Sequence, residues 1–426
     1  MKEKVLLVVV DFRLRVDQSH YINDWSSTDI LREMEALVEA CGGEVVDGTI
    51  YRVNSPIAST VISKTRIDEL SGICSFHGID TVIFSCDLKG GQQRNLEKLL
   101  KVKVVDRTQL ILDIFARRAL SKEGKMQVEL AQLQYLLPRL TGRGVELSRL
   151  GGGIATLGPG ETKLEVDRRR ISHRIARLKK ELKQVAESRS LKRKRRKELG
   201  TPVVSLVGYT NAGKSSLLNA LTDAQQVIKD GLFTTLDPLS RQLVLPNRQI
   251  IILSDTVGFM HDLPHRLIEA FKATLEEITE ADLLLHVLDI SSSNFRFLYN
   301  SVRDVLRELD AEKIPTVTVL NKIDRISDRE WLTDIEANFQ NTVAVSATTG
   351  ENLKLLLSKI EEMLVSYVVR VDVIIPIDRM DLVNLAHKEG MVKEIEYRNT
   401  NIHMIAMVPS RTAGRIYKAD IDHRCL

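Results

Sequence analysis

The sequence predicts an α/β protein built in several parts, and three observations carry that prediction. Residues 1–119 alternate Val- and Ile-rich runs with segments of helical period. Two heptad seams follow, separated by a glycine-rich stretch. Beyond them, Gly208-Tyr209-Thr210-Asn211-Ala212-Gly213-Lys214-Ser215 lies between an apolar run and a helical pattern. Strands separated by helices argue for parallel sheets flanked by helices. The expected organisation is a small N-terminal parallel sheet (1–119), a helical hairpin of coiled-coil type (120–200), a nucleotide domain (201–367) and a small α+β domain (368–426).

In the first part, Val5–Val10, Glu44–Tyr51, Thr81–Cys86 and Val102–Val105 read as strands. Helices are expected near Thr28–Cys41, Lys64–His77, Gln92–Leu100 and Thr108–Leu120. Val5–Val10 follows a charged start but ends at Asp11 with no cleavage-type segment, so it reads as a first strand and not as a signal peptide. His77 precedes Gly78 at a helix end and is read as part of the cap. The glycines here lack the Lys-Ser/Thr of a phosphate loop, so no second nucleotide site is expected.

Met126, Leu130, Leu133, Leu137 and Leu140 step by four, three, four and three residues, and Ile171, Ile175, Leu178, Leu182 and Val185 repeat the pattern. An antiparallel hairpin follows, with Pro138 bending or ending the first helix near its tip. The connection holds Gly142, Gly144, Gly151, Gly152, Gly153, Gly158 and Gly160. Between Glu161 and Gly200 stand 16 Lys/Arg against 6 Asp/Glu, so a chain of net charge +4 is otherwise acidic. The densest run is Lys192-Arg193-Lys194-Arg195-Arg196-Lys197. A charge run often marks only a solvated face. Beside a glycine-rich tip, and with no aromatics for stacking on single-stranded bases, it favours the phosphates of folded RNA.

The nucleotide domain carries four motifs in order, each after an apolar strand. Gly208–Ser215 reads G-x-x-x-x-G-K-S, the loop whose backbone N–H groups cradle phosphates at a helix N-terminus. Lys214 is expected to reach the β- and γ-phosphates, and Ser215 to ligate Mg²⁺. Phe233, Thr234 and Thr235 follow in a polar loop; Thr235, directly before Leu236-Asp237-Pro238, is the Mg²⁺-sensing candidate. Asp255-Thr256-Val257-Gly258 ends the strand Gln249–Ser254 and offers a carboxylate to Mg²⁺ through water and a Gly258 N–H to the γ-phosphate. Asn321-Lys322-Ile323-Asp324 sets the base, because a carboxylate accepts both N1–H and the 2-amino group of guanine and adenine offers no such pair. Ser346 and Ala347 stand where a backbone N–H covers guanine O6. No residue is certain as a catalytic acid or base. Phe259 occupies the place where a water-orienting glutamine often follows D-x-x-G, so slow intrinsic hydrolysis is expected. Asn211 either helps ligate K⁺ in the place of an arginine finger or only braces its loop.

The tail offers strands Val369–Pro376 and Ile402–Val408 around a helix near Met380–Glu389, and no chemistry. Hydrophobic and charged fractions of 43% and 28% are those of a soluble globular chain, which excludes a disordered or fibrous class. No run reaches the length of a membrane span. Cys41, Cys74, Cys86 and Cys425 form no C-x-x-C pair and read as reduced thiols of a cytoplasmic protein.

These residues resemble the HflX family of ribosome-associated GTPases over nearly the whole chain. The likeness rests on Val207–Ser215, Leu236-Asp237-Pro238, Asp255–Phe259, Val105–Thr108 and Ile111–Ala116. More specific are Gln127–Leu133 (Q-V-E-L-A-Q-L), Gly158–Thr162 (G-P-G-E-T) and Asp167-Arg168-Arg169. The resemblance implies a Ras-like GTP domain and binding of GTP or GDP. It also implies docking on the large ribosomal subunit and its rRNA, with the hairpin loop near the peptidyl-transferase region. Family loops usually carry a further glycine and an arginine before G-P-G-E, where this chain has Ala155-Thr156-Leu157. The expectation is a monomeric GTPase that splits or rescues stalled ribosomes. Two rivals stand beside it: a subunit-assembly GTPase and a non-hydrolysing scaffold ordered by GTP.

Overall fold

The structure, a computed structural model, describes residues 2–12, 25–140, 163–198, 200–222, 233, 239–261 and 272–420. It divides into two compact units. The first runs from the N-terminus through Val185 and includes Phe233 and Lys272; the second holds the other described residues from Ala186 onward.

The first unit contains a four-stranded parallel sheet of order β2-β1-β3-β4, with β1 Lys4–Phe12, β2 Glu44–Val53, β3 Thr81–Phe84 and β4 Lys103–Asp106. Strand β1 is apolar at successive positions because helices cover both faces of a parallel sheet; Leu6, Leu7 and Val9 are fully buried. Helices α1 Ser27–Ala40, α2 Lys64–His77, α3 Gly90–Leu100 and α4 Arg107–Arg118 supply that cover. Ser26 and Asp29 form a capping box at the start of α1. Helix α2 ends on Gly78 at φ 63°, the left-handed stop that makes His77 the last helical residue.

One carboxylate ties this sheet to the next helix. Asp106 caps α4 by accepting from the Gln109 N–H at 2.8 Å, and it also accepts from the Leu88 N–H, the Tyr135 hydroxyl and Arg139 at 3.1, 2.8 and 2.7 Å. Tyr135 belongs to α5 Lys122–Leu136, and Arg139 to the 3₁₀ turn Leu137–Arg139 in which Pro138 ends the helix as expected.

Helix α6 spans Lys163–Glu198. Met126, Leu130 and Leu133 of α5 pack with Ile175, Leu178, Leu182 and Val185 of α6, so both seams meet. Leu137 and Leu140, counted in the first seam, lie beyond the end of α5. Arg174 adds a two-pronged ion pair to Glu129, 2.7 Å at each contact. The glycine-rich connection, with Gly151, Gly152, Gly153, Gly158 and Gly160, lies outside the described residues.

The second unit is built on a six-stranded sheet of order β10-β9-β8-β5-β7-β6. Its strands are β5 Val203–Val207, β6 Leu239–Val244, β7 Ile250–Asp255, β8 Leu283–Asp289, β9 Thr316–Asn321 and β10 Thr342–Ala344. All neighbours are parallel except β6 with β7. Helices α7 Lys214–Thr222, α8 Lys272–Thr279, α9 Phe295–Glu308, α10 Arg329–Asn338 and α11 Leu353–Met363 accompany it. One core joins Val204, Leu206, Leu285, Val287 and Val317 of the strands with Leu217 of α7 and Leu356 of α11. With every parallel strand pointing the same way, their C-terminal ends form one rim, where ligands of such sheets bind.

The C-terminal part has a three-stranded antiparallel sheet, β11-β13-β12, where the sequence predicts two strands. Strand β11 is Val368–Pro376 and β13 is Asn401–Pro409. The missed strand β12, Met391–Tyr397, is a mostly exposed edge whose register slips between Val392 and Glu394, so its apolar residues do not alternate. Besides α12 Met380–Glu389, a second helix, α13 Ser410–Tyr417, was also not anticipated; it is short and contains Gly414, yet buries Thr412, Ala413 and Ile416. No helix among the described residues is long and apolar enough to cross a membrane.

Candidate nucleotide site

Four of the strand ends on this rim deliver the predicted motifs. Strand β5 leads into Gly208–Gly213 and then α7, whose first residue is Lys214. Two glycines are forced by close approach. A Cβ on Gly208, at φ 152°, would stand 2.3 Å from the Val287 carbonyl oxygen. One on Gly213, at φ 94°, would stand 2.2 Å from Asn321 Nδ2. Asn211 holds φ 62°, a left-handed backbone that asparagine tolerates.

Lys214 Nζ donates to the carbonyls of Gly208 and Tyr209, at 3.0 Å each. Burial pushes its pKa down to about 8, while the Asp255 carboxylate pulls it back up. The Ser215 hydroxyl donates to Asp255 Oδ2 at 2.7 Å, so helix α7 and strand β7 bring these two predicted Mg²⁺ ligands side by side. Thr256 is fully buried and donates to the Leu206 carbonyl at 2.7 Å. Val257 is buried beside it.

Phe259 closes the D-x-x-G segment onto the phosphate loop. Its N–H donates to Gly208 O at 3.0 Å, and its carbonyl accepts from the Thr210 N–H at 2.7 Å. The ring is buried. Gly258 is held so near that a Cβ would lie 2.8 Å from Thr210 Cα and 3.1 Å from Lys214 Nζ. Thr234 and Thr235 lie outside the described residues. Phe233 packs within the first unit, its ring buried and edge-on to Phe115 with centroids 4.7 Å apart.

The N-K-x-D box is knitted to the phosphate loop. Asn321 Nδ2 donates to Ala212 O at 2.9 Å, and Asn321 Oδ1 accepts from the Ala347 N–H at 3.1 Å. Lys322 Nζ reaches Asn211 O at 2.9 Å and Asp289 Oδ2 at 2.6 Å. Asp324 Oδ1 accepts from the Ser346 hydroxyl at 2.6 Å, which fixes the carboxylate plane. Sequence reasoning passed over Asp289. Its signal was available: it ends β8 as Asp255 ends β7.

A phosphate loop on a helix N-terminus, a strand-end acid and a guanine-type box on one rim define a P-loop GTPase. Profile comparison matches four consecutive segments: "GTP-binding GTPase N-terminal" over residues 28–116, "GTP-binding GTPase Middle Region" over 118–196, "50S ribosome-binding GTPase" over 203–322 and "HflX C-terminal domain" over 332–413. The GTPase HflX of Caldanaerobacter subterraneus subsp. tengcongensis is 43% identical over 415 residues, covering 97% of this chain and 93% of its own. The GTPase HflX of Escherichia coli K12 is 42% identical over 345 residues, covering 81% of each. The chain belongs to the HflX family of GTPases. A GTP-binding protein of Sulfolobus solfataricus, solved with GDP, is 27% identical over 86% of this chain and 99% of its own, with a TM-score of 0.44.

Proposed function

We infer that this GTPase docks on the large ribosomal subunit and couples its nucleotide cycle to the splitting or rescue of stalled ribosomes. The observation that carries the reading is charge placed on a long helix. Helix α6 continues the hairpin, exposes Arg168 and Arg169, and runs unbroken through Lys192–Lys197. The matched profile named for ribosome binding supports the same partner.

In the bound state, phosphate oxygens would replace the Gly208 and Tyr209 carbonyls as acceptors for Lys214, and Asp324 with Ser346 would read guanine. The adjacent oxygens of Ser215 and Asp255 suit a hard cation such as Mg²⁺, with Thr235 as a third ligand. Bound there, Mg²⁺ would neutralise charge on the β- and γ-phosphates. The chain's own part is to orient: Gly258, beside the Phe259 hydrogen bonds that hold this segment, would offer its N–H to the γ-phosphate. The deciding experiment is gradient sedimentation of ribosomes with the protein and either GTP or a non-hydrolysable analogue. Splitting predicts loss of the intact-ribosome peak with protein on the large subunit. Binding confined to precursor particles, with intact ribosomes unchanged, would establish the assembly role instead.

Phe259 can neither donate nor accept through its side chain, so orientation of the attacking water must come from elsewhere. The exposed Asn211 offers its amide oxygen as a K⁺ ligand, a cation that would neutralise charge as an arginine finger does. Its backbone oxygen is already used to hold Lys322. On the K⁺ reading, basal GTP hydrolysis should run faster in K⁺ than in Na⁺ at equal ionic strength. Asn211→Ala should remove the difference, and so should Asn211→Gly, which relieves the left-handed backbone. Equal rates in the two salts would eliminate the cation and leave ribosome-driven ordering of the loops as the activator.

A further inference from the structure

Strand β8 ends in Asp289, whose register partner on β9 is Asn321. The residue that follows, Lys322, is thereby brought within reach of an acid that belongs to none of the four motifs. Its ammonium meets Asp289 Oδ2 at 2.6 Å, and with side chains only 15% and 19% exposed the pair is largely shielded from water. The acid is set in advance. Its Oδ1 accepts from the Ser291 N–H at 3.0 Å and from the Ser291 hydroxyl at 2.6 Å, which leaves Oδ2 for the lysine.

Lys322 holds φ 67°, a left-handed backbone uncommon for a residue other than glycine. From this turn its side chain runs back from the base-reading box to the phosphate loop, where Nζ also donates to Asn211 O at 2.9 Å. A nucleotide with its base on Asp324 and its phosphates in Gly208–Ser215 would lie along that stem. Lysine is a flexible chain ending in a point charge, and one carbonyl is a loose tether for it. The carboxylate adds a short, charge-assisted bond.

We propose that Asp289 is a positioning residue for nucleotide retention, acting through Lys322: it pins the lysine across the cradle and so slows the departure of guanine nucleotides. The inference rests on the base pocket assigned to Asp324 and Ser346. A purely structural role would be to close the turn between β8 and α9 through Ser291. The two roles differ in what happens once Lys322 is gone. If Asp289 works through the lysine, its removal then has nothing left to disturb.

The test loads the full-length protein with a fluorescent GDP and follows release during a chase with unlabelled GDP. Asp289→Ala should speed release roughly tenfold or more, the worth of one charge-assisted hydrogen bond. Asp289→Asn keeps an oxygen for the ammonium without the charge, so its rate should fall between Asp289→Ala and wild type. Lys322→Met should speed release by itself, and adding Asp289→Ala to it should change nothing further. Additive effects would assign Asp289 to the turn alone and overturn the proposal. Wild-type release in both Asp289 variants would overturn it too. So would slower release, which would mean that the carboxylate acts only by repelling the phosphates. Asp324→Asn, measured beside them, separates this proposal from the pocket beneath it. Weakened GTP binding there, with wild-type release in the Asp289 variants, sinks the proposal alone; unchanged GTP binding sinks the base pocket and the proposal together.

Discussion

Asp324→Asn should exchange guanine for xanthine as the preferred base. The wild-type carboxylate accepts from N1–H and the 2-amino group, and each hydrogen bond to a charged acceptor is worth about 1.5–3 kcal/mol. The asparagine amide keeps one acceptor for N1–H but turns a donor on the 2-amino group. One charge-assisted bond is lost and a buried donor is left unmade, a fall in GTP affinity of roughly 10²–10⁴-fold. The new amide offers a donor, which the C2 carbonyl of xanthosine triphosphate accepts, so that nucleotide should gain what GTP loses. Ser346→Ala should give a smaller loss for GTP, because it removes only the hydroxyl that fixes the carboxylate at 2.6 Å. Competition against a fluorescent nucleotide measures all of these. Unchanged GTP affinity in Asp324→Asn would sink the assignment of the base pocket.

Binding to ribosomes should weaken steeply as salt is raised. A protein that neutralises six to ten phosphates loses roughly 10³–10⁵ in affinity between about 50 and 200 mM salt, because displaced counterions dominate the free energy. Replacing Lys192–Lys197 together by glutamine should lower affinity and flatten the dependence on log salt, while basal GTP hydrolysis stays at the wild-type rate. Co-sedimentation across a salt series reads both slopes. A flat wild-type series, or normal binding by the substituted protein, would reduce the basic run to a solvated face.

Much of the nucleotide site was legible because its spacing is imposed by backbone approach. Gly213 must lack a side chain to admit Asn321, and Gly208 to pass the Val287 carbonyl, so both leave a mark in sequence. Helix α2 was legible to the residue through Gly78 at its end. Strand β12 and helix α13 were not, since an exposed edge with a bulge and an eight-residue helix containing glycine carry little periodicity. Asp289 escaped for another reason. One acid in an apolar strand has many uses, and only the neighbour Lys322 says which applies.

The two hydrogen bonds of Asn321, to Ala212 and to Ala347, bear on how long a nucleotide stays. They join the base-reading and phosphate-reading loops, so loosening one end of a guanine nucleotide's cradle is expected to loosen the other. Residence time is then a property of the whole cradle. A partner that displaces the Ala347 loop would speed departure from the phosphate end, some distance from where it pushes. Nucleotide exchange is then expected to respond to a push on the base-side rim as well as to one inside the pocket.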